Sequence, residues 1–447
     1  MQAFLFLESK IMFSRKDIII LGMMIFALFL GAGNIIFPPM EGFSSGQHWA
    51  SASLGFVLTG VLMPFITLVV VAILGRGEEL TKDLPKWAGT GFLVILYLTI
   101  GSTFAMPRIT NVAYEMAWLP LGLTENNANV RFVFSLIFNL IAMGFMISPN
   151  TIISSVGKFM TPALLVLLIA VAITVFISPL SEIQAPSNAY ENSHSLLIGL
   201  TSGYQTMDVL AAIAFGGIVA RALSAKNVTK TKDIVKYTIS AGFVSVILLA
   251  GLYFSLFYLG ATSAAVAEGA TNGGQIFSRY VNVLFGSAGT WIMAGIIVLA
   301  SLTTLVGVTS ASADYFSKFS VRFSYPFWAA LFTAMTITVS QYGLTDLLRI
   351  TIPALLLIYP VAIVLVLLQF LRKKLPSIKF TYNSTLLVTV CFSLCDSLNN
   401  VKMLPESINS LLKHFPLSSE GMAWLVPTLV MLVASIFIGK ALHKTHS

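Results

Sequence analysis

Long apolar stretches separated by short polar segments run along almost the whole chain. About twelve of them are long enough to cross or nearly cross a bilayer, since a membrane helix needs about 20 apolar residues. They cover approximately residues 17–40, 49–74, 90–118, 130–148, 159–179, 195–220, 234–260, 287–316, 325–341, 345–371, 381–400 and 421–442. The strands of a membrane barrel would instead alternate in polarity over segments of about ten residues. The pattern therefore predicts an all-α membrane protein with about 12 transmembrane helices.

Composition indicates the same class of protein. The 447 residues are 57% hydrophobic and 10% charged, whereas soluble domains carry about 25% charged residues. So few charges cannot cover a water-soluble surface, and the length corresponds to one membrane unit rather than to three globular domains. The net charge of +8 does not indicate a nucleic-acid partner, because the basic residues lie in short loops between the apolar stretches.

Loops on alternate sides of the predicted helices differ in their content of lysine and arginine. One set of loops holds most of the 26 basic residues, for example Arg15 and Lys373, while opposite loops such as residues 401–420 hold few. Cytoplasmic loops carry such an excess. We therefore expect both termini, residues 1–16 and 443–447, to be cytoplasmic.

Two of the apolar stretches are interrupted by residues that form helices poorly. The first contains Gly31, Ala32, Gly33 and Asn34, and the sixth contains at least seven polar or glycine positions within residues 199–208. Small residues also occur at close helix–helix contacts that bind no ligand. Interruptions at matching places in a ten-helix core, however, are typical of inverted repeats with a binding site near the membrane midplane.

The interruptions therefore predict how the chain is divided. Residues 17–371 form a ten-helix transport core, with a first repeat at 17–179 and a second repeat at 195–371, and residues 381–442 add two further helices. At the breaks, free N–H groups and the N-terminus of a half-helix suit an anionic carboxylate, whereas exposed carbonyls suit an ammonium group or a small cation.

Hydroxyl groups are concentrated in the eighth stretch, between Ser301 and Ser312. They could form hydrogen bonds to their own helix. They could equally supply oxygen ligands to Na⁺, together with carbonyls from the broken first helix. The sequence leaves both possibilities open.

Few ionisable residues lie within the stretches, where charges are rare and usually functional. Arg108 and Glu115 are seven residues apart in the third stretch, so that pairing with each other or with another helix is plausible. Asp208 follows the second interruption and is the strongest candidate partner for a substrate ammonium group or a coupling ion. The alternative is that it caps the half-helix that begins there.

Enzyme chemistry finds no support in the sequence. All five histidines lie in loops or in the tail, so no histidine–aspartate metal cluster is expected within the membrane. The phosphate-binding pattern G-x-x-x-x-G-K-[ST] is absent, and ATP hydrolysis is not expected. The sequence predicts a transporter driven by an ion gradient, with no cofactor, no nucleic-acid partner and no obligatory protein partner.

Three motifs resemble the bacterial branched-chain amino acid carrier family. They are FALFLGAGNIIFPP from Phe26 to Pro39, GYQTMD from Gly203 to Asp208, and EGMAWLVPT from Glu420 to Thr428. The resemblance covers the whole chain. It implies a member of the amino acid–polyamine–organocation superfamily with the leucine-transporter fold, which imports leucine, isoleucine and valine with Na⁺ or H⁺ across the bacterial inner membrane.

The resemblance also implies site residues. One side of the substrate pocket is the carboxylate site at Gly31, Ala32, Gly33 and Asn34, and the other side is formed by Gly203, Tyr204, Gln205 and Thr206. Tyr97, Phe104 and Tyr204 are expected to be walls of the pocket. The Na⁺ ligands would be the hydroxyls of Thr303 and Thr304 and the carbonyls of Ala27, Leu30 and Ala300.

Other functions remain possible at this point. A carrier for another small neutral amino acid or an amine would use the same kind of site. A cation channel would need repeated coordination sites along an open path, and a single central pair of interruptions favours a carrier.

Overall fold

The computed structural model describes residues 14–146, 161–187, 190–191, 194–319 and 322–444. Helices joined by short loops make up these residues, and no strand occurs among them. The prediction of an all-helical protein is confirmed. Residues 1–13 of the predicted N-terminal segment and residues 445–447 of the predicted tail lie outside the described residues.

In the described residues of the first half of the chain, eight α-helices follow one another. They are α1 (Arg15–Phe29), α2 (Ala32–Ser45), α3 (Trp49–Val57), α4 (Met63–Leu74), α5 (Lys86–Leu98), α6 (Ala105–Val112), α7 (Ala128–Met146) and α8 (Thr161–Ile177). π-helical turns at Leu58–Leu62 and Thr99–Thr103 join α3 to α4 and α5 to α6, and a third at Ala113–Trp118 extends α6.

The second half begins with α9 (Ser195–Ser202), a 3₁₀ turn at Gly203–Thr206 and α10 (Asp208–Ser224). The helices that follow are α11 (Thr231–Ala261), α12 (Ala264–Ala267), α13 (Gly273–Phe285), α14 (Ser287–Ser317), α15 (Tyr325–Val339), α16 (Leu344–Leu371), α17 (Ile378–Asn400), α18 (Glu406–Leu412) and α19 (Leu425–Lys444). Short 3₁₀ turns at Ser340–Tyr342 and Arg372–Lys374 flank α16.

Seven helical runs in the described chain are long and apolar enough to cross a membrane, or eight when the bent pair α9 and α10 is counted as one span. The helices α8 and α19 are apolar but shorter. The helix α14 lies at the centre, because 78% of its most apolar window is buried, against 28–56% for the other runs. The centre of the bundle therefore carries the hydroxyl cluster of the eighth stretch.

The first interruption is shorter than the sequence predicted. Only Leu30 and Gly31 separate α1 from α2, so Ala32, Gly33 and Asn34 are already helical. The reason is local: the Asn34 side-chain oxygen accepts a hydrogen bond from the Gly31 N–H at 3.0 Å. A side chain near the start of a helix that satisfies a free N–H group allows the helix to resume early.

The second interruption is also shorter than the predicted range of residues 199–208. Gly199 lies within α9 and serves close packing, since a Cβ atom there would lie 2.1 Å from the Ala52 carbonyl oxygen of α3. Gly55 of α3 makes the reciprocal approach, 2.0 Å from the Leu196 carbonyl oxygen. Close packing of helices through small residues was the alternative interpretation of such glycines. It accounts for Gly199, at the start of the predicted range.

A third interruption was missed because the third stretch was predicted as one continuous helix. Gly101 has non-helical angles of φ −85° and ψ −135°, and Phe104 has φ −131° and ψ −59°. Pro107 supplies the physical reason, since it lacks the N–H that would bond to the carbonyl four residues earlier. The helix α6 therefore starts afresh beside the other two breaks.

Candidate functional site

Asn34 connects the two predicted interruptions. Its side-chain oxygen accepts the Gly31 N–H, while its amide nitrogen donates to Asp208 Oδ2 at 2.7 Å and also to the Tyr253 hydroxyl. Tyr253, on α11, donates to the same Asp208 oxygen at 3.3 Å. Asn34, Asp208 and Tyr253 are all buried. One short polar network therefore fixes α2, α10 and α11 relative to one another.

The Asp208 carboxylate binds to other helices rather than to the start of its own. Met207 is the cap residue of α10, with φ 64° in the left-handed region, and no side chain caps the helix there. The bonds to the Asp208 side chain come from Asn34 and Tyr253 on other helices and from the neighbouring Thr206. The capping alternative does not describe this geometry, and the carboxylate is available to a group that enters between α2 and α10.

Arg108, which the sequence indicated only as a pairing partner, lies at the same place. It is 3% exposed, and its Nη1 donates to the Gln205 carbonyl at 2.9 Å. Its guanidinium carbon lies 5.3 Å from the centre of the Phe37 ring, a cation–π distance. Glu115 instead accepts the Leu344 N–H at 3.2 Å. Both residues therefore bind to other helices and not to each other.

A small closed cavity lies between the three interruptions. Its volume is about 20 Å³, which is room for one or two water molecules. Polar lining comes from Asn34, Arg108, Thr206, Asp208 and Thr304, with the backbone of Gly31 and Gly33. Apolar lining comes from residues that include Ile100, Ala105, Ile109, Ala211 and Val308. The structure therefore leaves little space at this site, which has charged groups and an apolar side.

Several residues expected in the pocket lie elsewhere. Tyr204 stacks on Tyr359 with ring centres 4.5 Å apart, and Tyr97 stacks on Tyr315 at 4.2 Å. Neither tyrosine lines the cavity, and neither does Phe104 or Gly203. Gly203 packs instead against the π-helical turn that follows α3, since a Cβ atom there would lie 2.1 Å from Thr59 Oγ1. The side chain of Ala32 lies outside the described part of the structure.

Gln205 contributes to the site through its backbone only. Its carbonyl binds Arg108, while Gln205 and Tyr204 line a separate open cleft of about 280 Å³ that also contains Asp396 and Glu420. A sequence cannot show which side of a 3₁₀ turn each residue takes, because successive side chains point in different directions around it.

The five residues expected to hold Na⁺ are brought together beside this cavity. Thr303 Oγ1 donates to the carbonyls of Ala27, at 3.2 Å, and Ala300, at 3.0 Å. Thr304 Oγ1 donates to the Leu30 carbonyl at 3.1 Å. Carbonyls at the end of a helix have no partner four residues on. The end of α1 therefore obtains its hydrogen bonds from α14, and the cluster consists of neutral oxygen atoms.

Comparisons with known proteins identify the family. The profile described as branched-chain amino acid transport protein matches residues 14–442. The chain is 34% identical over 427 residues to the branched-chain amino acid permease BrnQ of Escherichia coli (strain K12), with 95% of this chain and 96% of the relative covered. It is 36% identical over 430 residues to the branched-chain amino acid transport system 3 carrier protein of Pseudomonas aeruginosa, with 96% and 97% covered.

The chain belongs to the branched-chain amino acid transport protein family. The resemblance carried by its three motifs is thereby confirmed. A further relative, the branched-chain amino acid permease BraB of Bacillus subtilis (strain 168), is 34% identical over 432 residues, with 95% and 96% covered. The protein is a multi-pass membrane transporter and not an enzyme.

Two solved structures share the fold of this family member. Mhp1, a nucleobase-cation-symport-1 family transporter in a closed conformation with bromovinylhydantoin bound, superposes with a TM-score of 0.63 at 13% identity, with 96% and 93% of the two chains covered. A Na⁺-coupled sialic acid symporter in a substrate-bound outward-open state gives 0.56 at 10% identity, with 94% and 89% covered. At these identities the likeness shows the fold alone.

A group of ion pairs joins the far ends of α10 and α14 in this transporter. Asp314 pairs with Arg221 at 3.4 Å and with Lys318 at 3.3 Å, and Lys318 reaches Glu78 at 3.0 Å. All four side chains are partly exposed to solvent. Such pairs contribute about 0–1 kcal/mol each and can open at little cost.

Proposed function

We propose that the protein is a secondary active symporter that imports leucine, isoleucine and valine with Na⁺ by alternating access. Membership of the branched-chain amino acid transport protein family supports the substrate class. The observation that carries the coupling ion is the contact of Thr303 and Thr304 with the carbonyls at the end of α1. Unwound carbonyls at a broken helix are the usual ligands of coupling cations in such transporters.

The proposed architecture has about twelve transmembrane helices, of which ten form the core. Residues 17–179 and 195–371 are the two repeats, and residues 381–442 are the additional helices. Breaks in the first helix of each proposed repeat, between α1 and α2 and between α9 and α10, support this division. The excess of lysine and arginine in one set of loops supports cytoplasmic termini in the bacterial inner membrane.

The closed cavity is the proposed substrate site, with Gly31, Gly33, Asn34, Thr206 and Asp208 among its polar lining. An amino acid with a branched side chain is much larger than the present 20 Å³, so binding requires the bundle to open. The exposed ion pairs of Asp314 would then break on the side that opens. Branched side chains that differ by one methylene differ by only about 1–3 kcal/mol in such a pocket, and overlapping specificity is expected.

The function is tested by uptake of radiolabelled isoleucine into proteoliposomes. One set receives an inward Na⁺ gradient at equal pH, and the other receives a pH gradient in Na⁺-free buffer. We expect accumulation with the Na⁺ gradient only. Accumulation with the pH gradient only would transfer the coupling role to a proton on Asp208, and uptake driven by neither would contradict the proposed symport.

Two variants test the cation site itself. Thr303→Val and Thr304→Val remove one hydroxyl each without a large change in volume, and should raise the Na⁺ concentration for half-maximal uptake about tenfold or more. Thr336→Val is the matched control, because among the described residues its buried hydroxyl bonds only to the Phe332 carbonyl of its own helix, at 2.7 Å. Equal Na⁺ dependence in all three variants would contradict the assignment.

A further inference from the structure

Two buried charges of opposite sign face the closed cavity from different helices. Arg108 on α6 and Asp208 on α10 are each 3% exposed, and both line the cavity. Among the described contacts they do not bind to each other. Arg108 donates to the Gln205 carbonyl, and Asp208 accepts from Asn34 and Tyr253.

Neutral groups satisfy these charges only in part. The Nε atom of Arg108 is buried and has no hydrogen-bond partner within the described part of the chain. A buried charge is costly unless an opposite charge and a full set of hydrogen bonds accompany it. The site therefore holds one cation and one anion, each with capacity for a partner of opposite charge.

The chemistry of the guanidinium selects the partner of Arg108. Arginine presents five N–H donors in a planar fork, and this fork matches the two oxygens of a carboxylate. Gly33 lets the guanidinium lie directly against the first break, since a Cβ atom at this position would lie 2.8 Å from Arg108 Nη2. An entering carboxylate would compete with the Gln205 carbonyl for the same guanidinium.

We propose that Arg108 binds the substrate carboxylate while Asp208 binds the substrate ammonium group, so that the site selects a zwitterion. This assignment rests on the proposed function and deepens it. The carboxylate partner is then a side chain of the third interrupted helix, in place of the Gly31–Asn34 backbone alone. The side chain of the substrate is directed to the apolar lining, and the net charge of the site does not change on binding.

The test compares two ligands that differ in one charged end. L-Leucine carries both charges, and L-leucinamide keeps the ammonium group but lacks the carboxylate. Binding to the purified full-length protein is followed through its six tryptophans for the wild type, Arg108→Gln and Arg108→Lys. We expect Arg108→Gln to weaken leucine binding about 10- to 100-fold and to leave leucinamide binding within about threefold.

Arg108→Lys keeps the charge and should retain part of the preference for leucine over leucinamide. The matched control is Arg131→Gln, because Arg131 Nη1 donates to the Gln341 carbonyl at 3.1 Å but does not line the cavity. This control should bind both ligands as the wild type does.

Asp208→Asn provides the reciprocal test with 4-methylpentanoate, which lacks the ammonium group. Its affinity should be unchanged or increased while leucine binding falls. If Arg108→Gln weakens leucine and leucinamide equally, or weakens neither, the assignment of Arg108 is wrong although the proposed function stands. A wild-type protein that binds none of leucine, isoleucine and valine would contradict the proposed function as well.

Discussion

The break between α1 and α2 and the break between α9 and α10 are stabilised by different contacts. The first has two non-helical residues, Leu30 and Gly31, and is closed by Asn34 from three residues away and by Thr304 of α14. The second covers five residues from Gly203 to Met207 and bends the chain by 47°. Besides hydrogen bonds within the turn, it is held by distant residues such as Arg108 and Tyr359.

The two breaks therefore present different chemical groups to a ligand. At the end of α1, the carbonyls of Ala27 and Leu30 accept hydrogen bonds from hydroxyl groups. A group of neutral oxygen atoms of this kind suits a small cation. The start of α10 places the Asp208 carboxylate beside the cavity. Because Asn34 bonds to both breaks, the two halves of the site are not independent.

The largest expected effect comes from removing the Asn34 side chain, which bonds to both breaks. Asn34→Ala would leave the buried Gly31 N–H without this acceptor and Asp208 without its amide donor. Each buried group that loses its partner costs about 1–3 kcal/mol, so we expect a loss of stability of about 2–6 kcal/mol and no measurable isoleucine uptake. Thermal unfolding in detergent, followed by tryptophan fluorescence, measures the first effect.

Asn139→Ala is a suitable control for Asn34→Ala. Asn139 is equally buried, and its amide donates to Thr110 Oγ1 and to the Ser135 carbonyl, away from both breaks. It should lose stability while uptake per folded molecule is retained. Retained uptake in Asn34→Ala would show that the two breaks work without this connection.

The next effect is confined to the second break. A Cβ atom at Gly203 would lie 2.1 Å from Thr59 Oγ1 and 3.0 Å from the Phe56 carbonyl oxygen. Gly203→Ala must therefore displace the Thr59 hydroxyl from the Leu200 carbonyl, to which it donates at 2.7 Å. We expect a loss of about 1–3 kcal/mol, measured by the same unfolding experiment. A stability equal to that of the wild type would show that α3 and the turn are not in close contact.

The two breaks also differ in how far the sequence could predict them. Glycines and Asn34 are close in the chain to the first break, so its position could be predicted to within a few residues. The residues that complete the second break, Tyr253 and Tyr359, are 45 and 150 residues from the groups they bind. Hydrophobic periodicity carries no information about such contacts, because it shows which face is buried but not against what.

The contacts of Arg108 could not be predicted from the sequence either. Its charge within an apolar stretch indicated a functional residue, but its partner is a backbone carbonyl at Gln205, 97 residues away. Pro107 was a readable signal for the third interruption, since a proline within a helix removes a hydrogen bond. The tyrosines expected as pocket walls lie elsewhere because their rings found aromatic partners, Tyr359 and Tyr315.

A smaller effect is expected from the tyrosine that supports the second break. The Tyr359 hydroxyl accepts the Val209 N–H at 3.3 Å and donates to the Thr59 carbonyl at 3.2 Å. In a π-helical turn this carbonyl would bond five residues on, where Pro64 has no N–H. Tyr359→Phe should cost about 1–2 kcal/mol, with Na⁺ dependence of uptake unchanged. A changed Na⁺ dependence would mean that the second break contributes to cation coupling.

The smallest effect on stability is expected at the first break. A Cβ atom at Gly31 would lie 3.2 Å from Thr304 Cγ2 and 3.4 Å from Thr304 Oγ1. The angles of Gly31, φ −94° and ψ 177°, are open to any residue, so Gly31→Ala should cost about 1 kcal/mol or less. The added methyl group nevertheless presses on the Thr304 side chain, whose hydroxyl belongs to the proposed cation site.

Gly31→Ala should therefore change Na⁺ dependence rather than stability, and Gly203→Ala should do the reverse. Uptake at graded Na⁺ concentrations and thermal unfolding, measured on both variants, separate the two breaks directly. If Gly31→Ala leaves the half-maximal Na⁺ concentration unchanged, Thr304 is not a cation ligand and its hydroxyl only closes the end of α1. If each variant changes both the half-maximal Na⁺ concentration and the stability, the hydrogen bonds of Asn34 couple the two breaks so that they act as one unit.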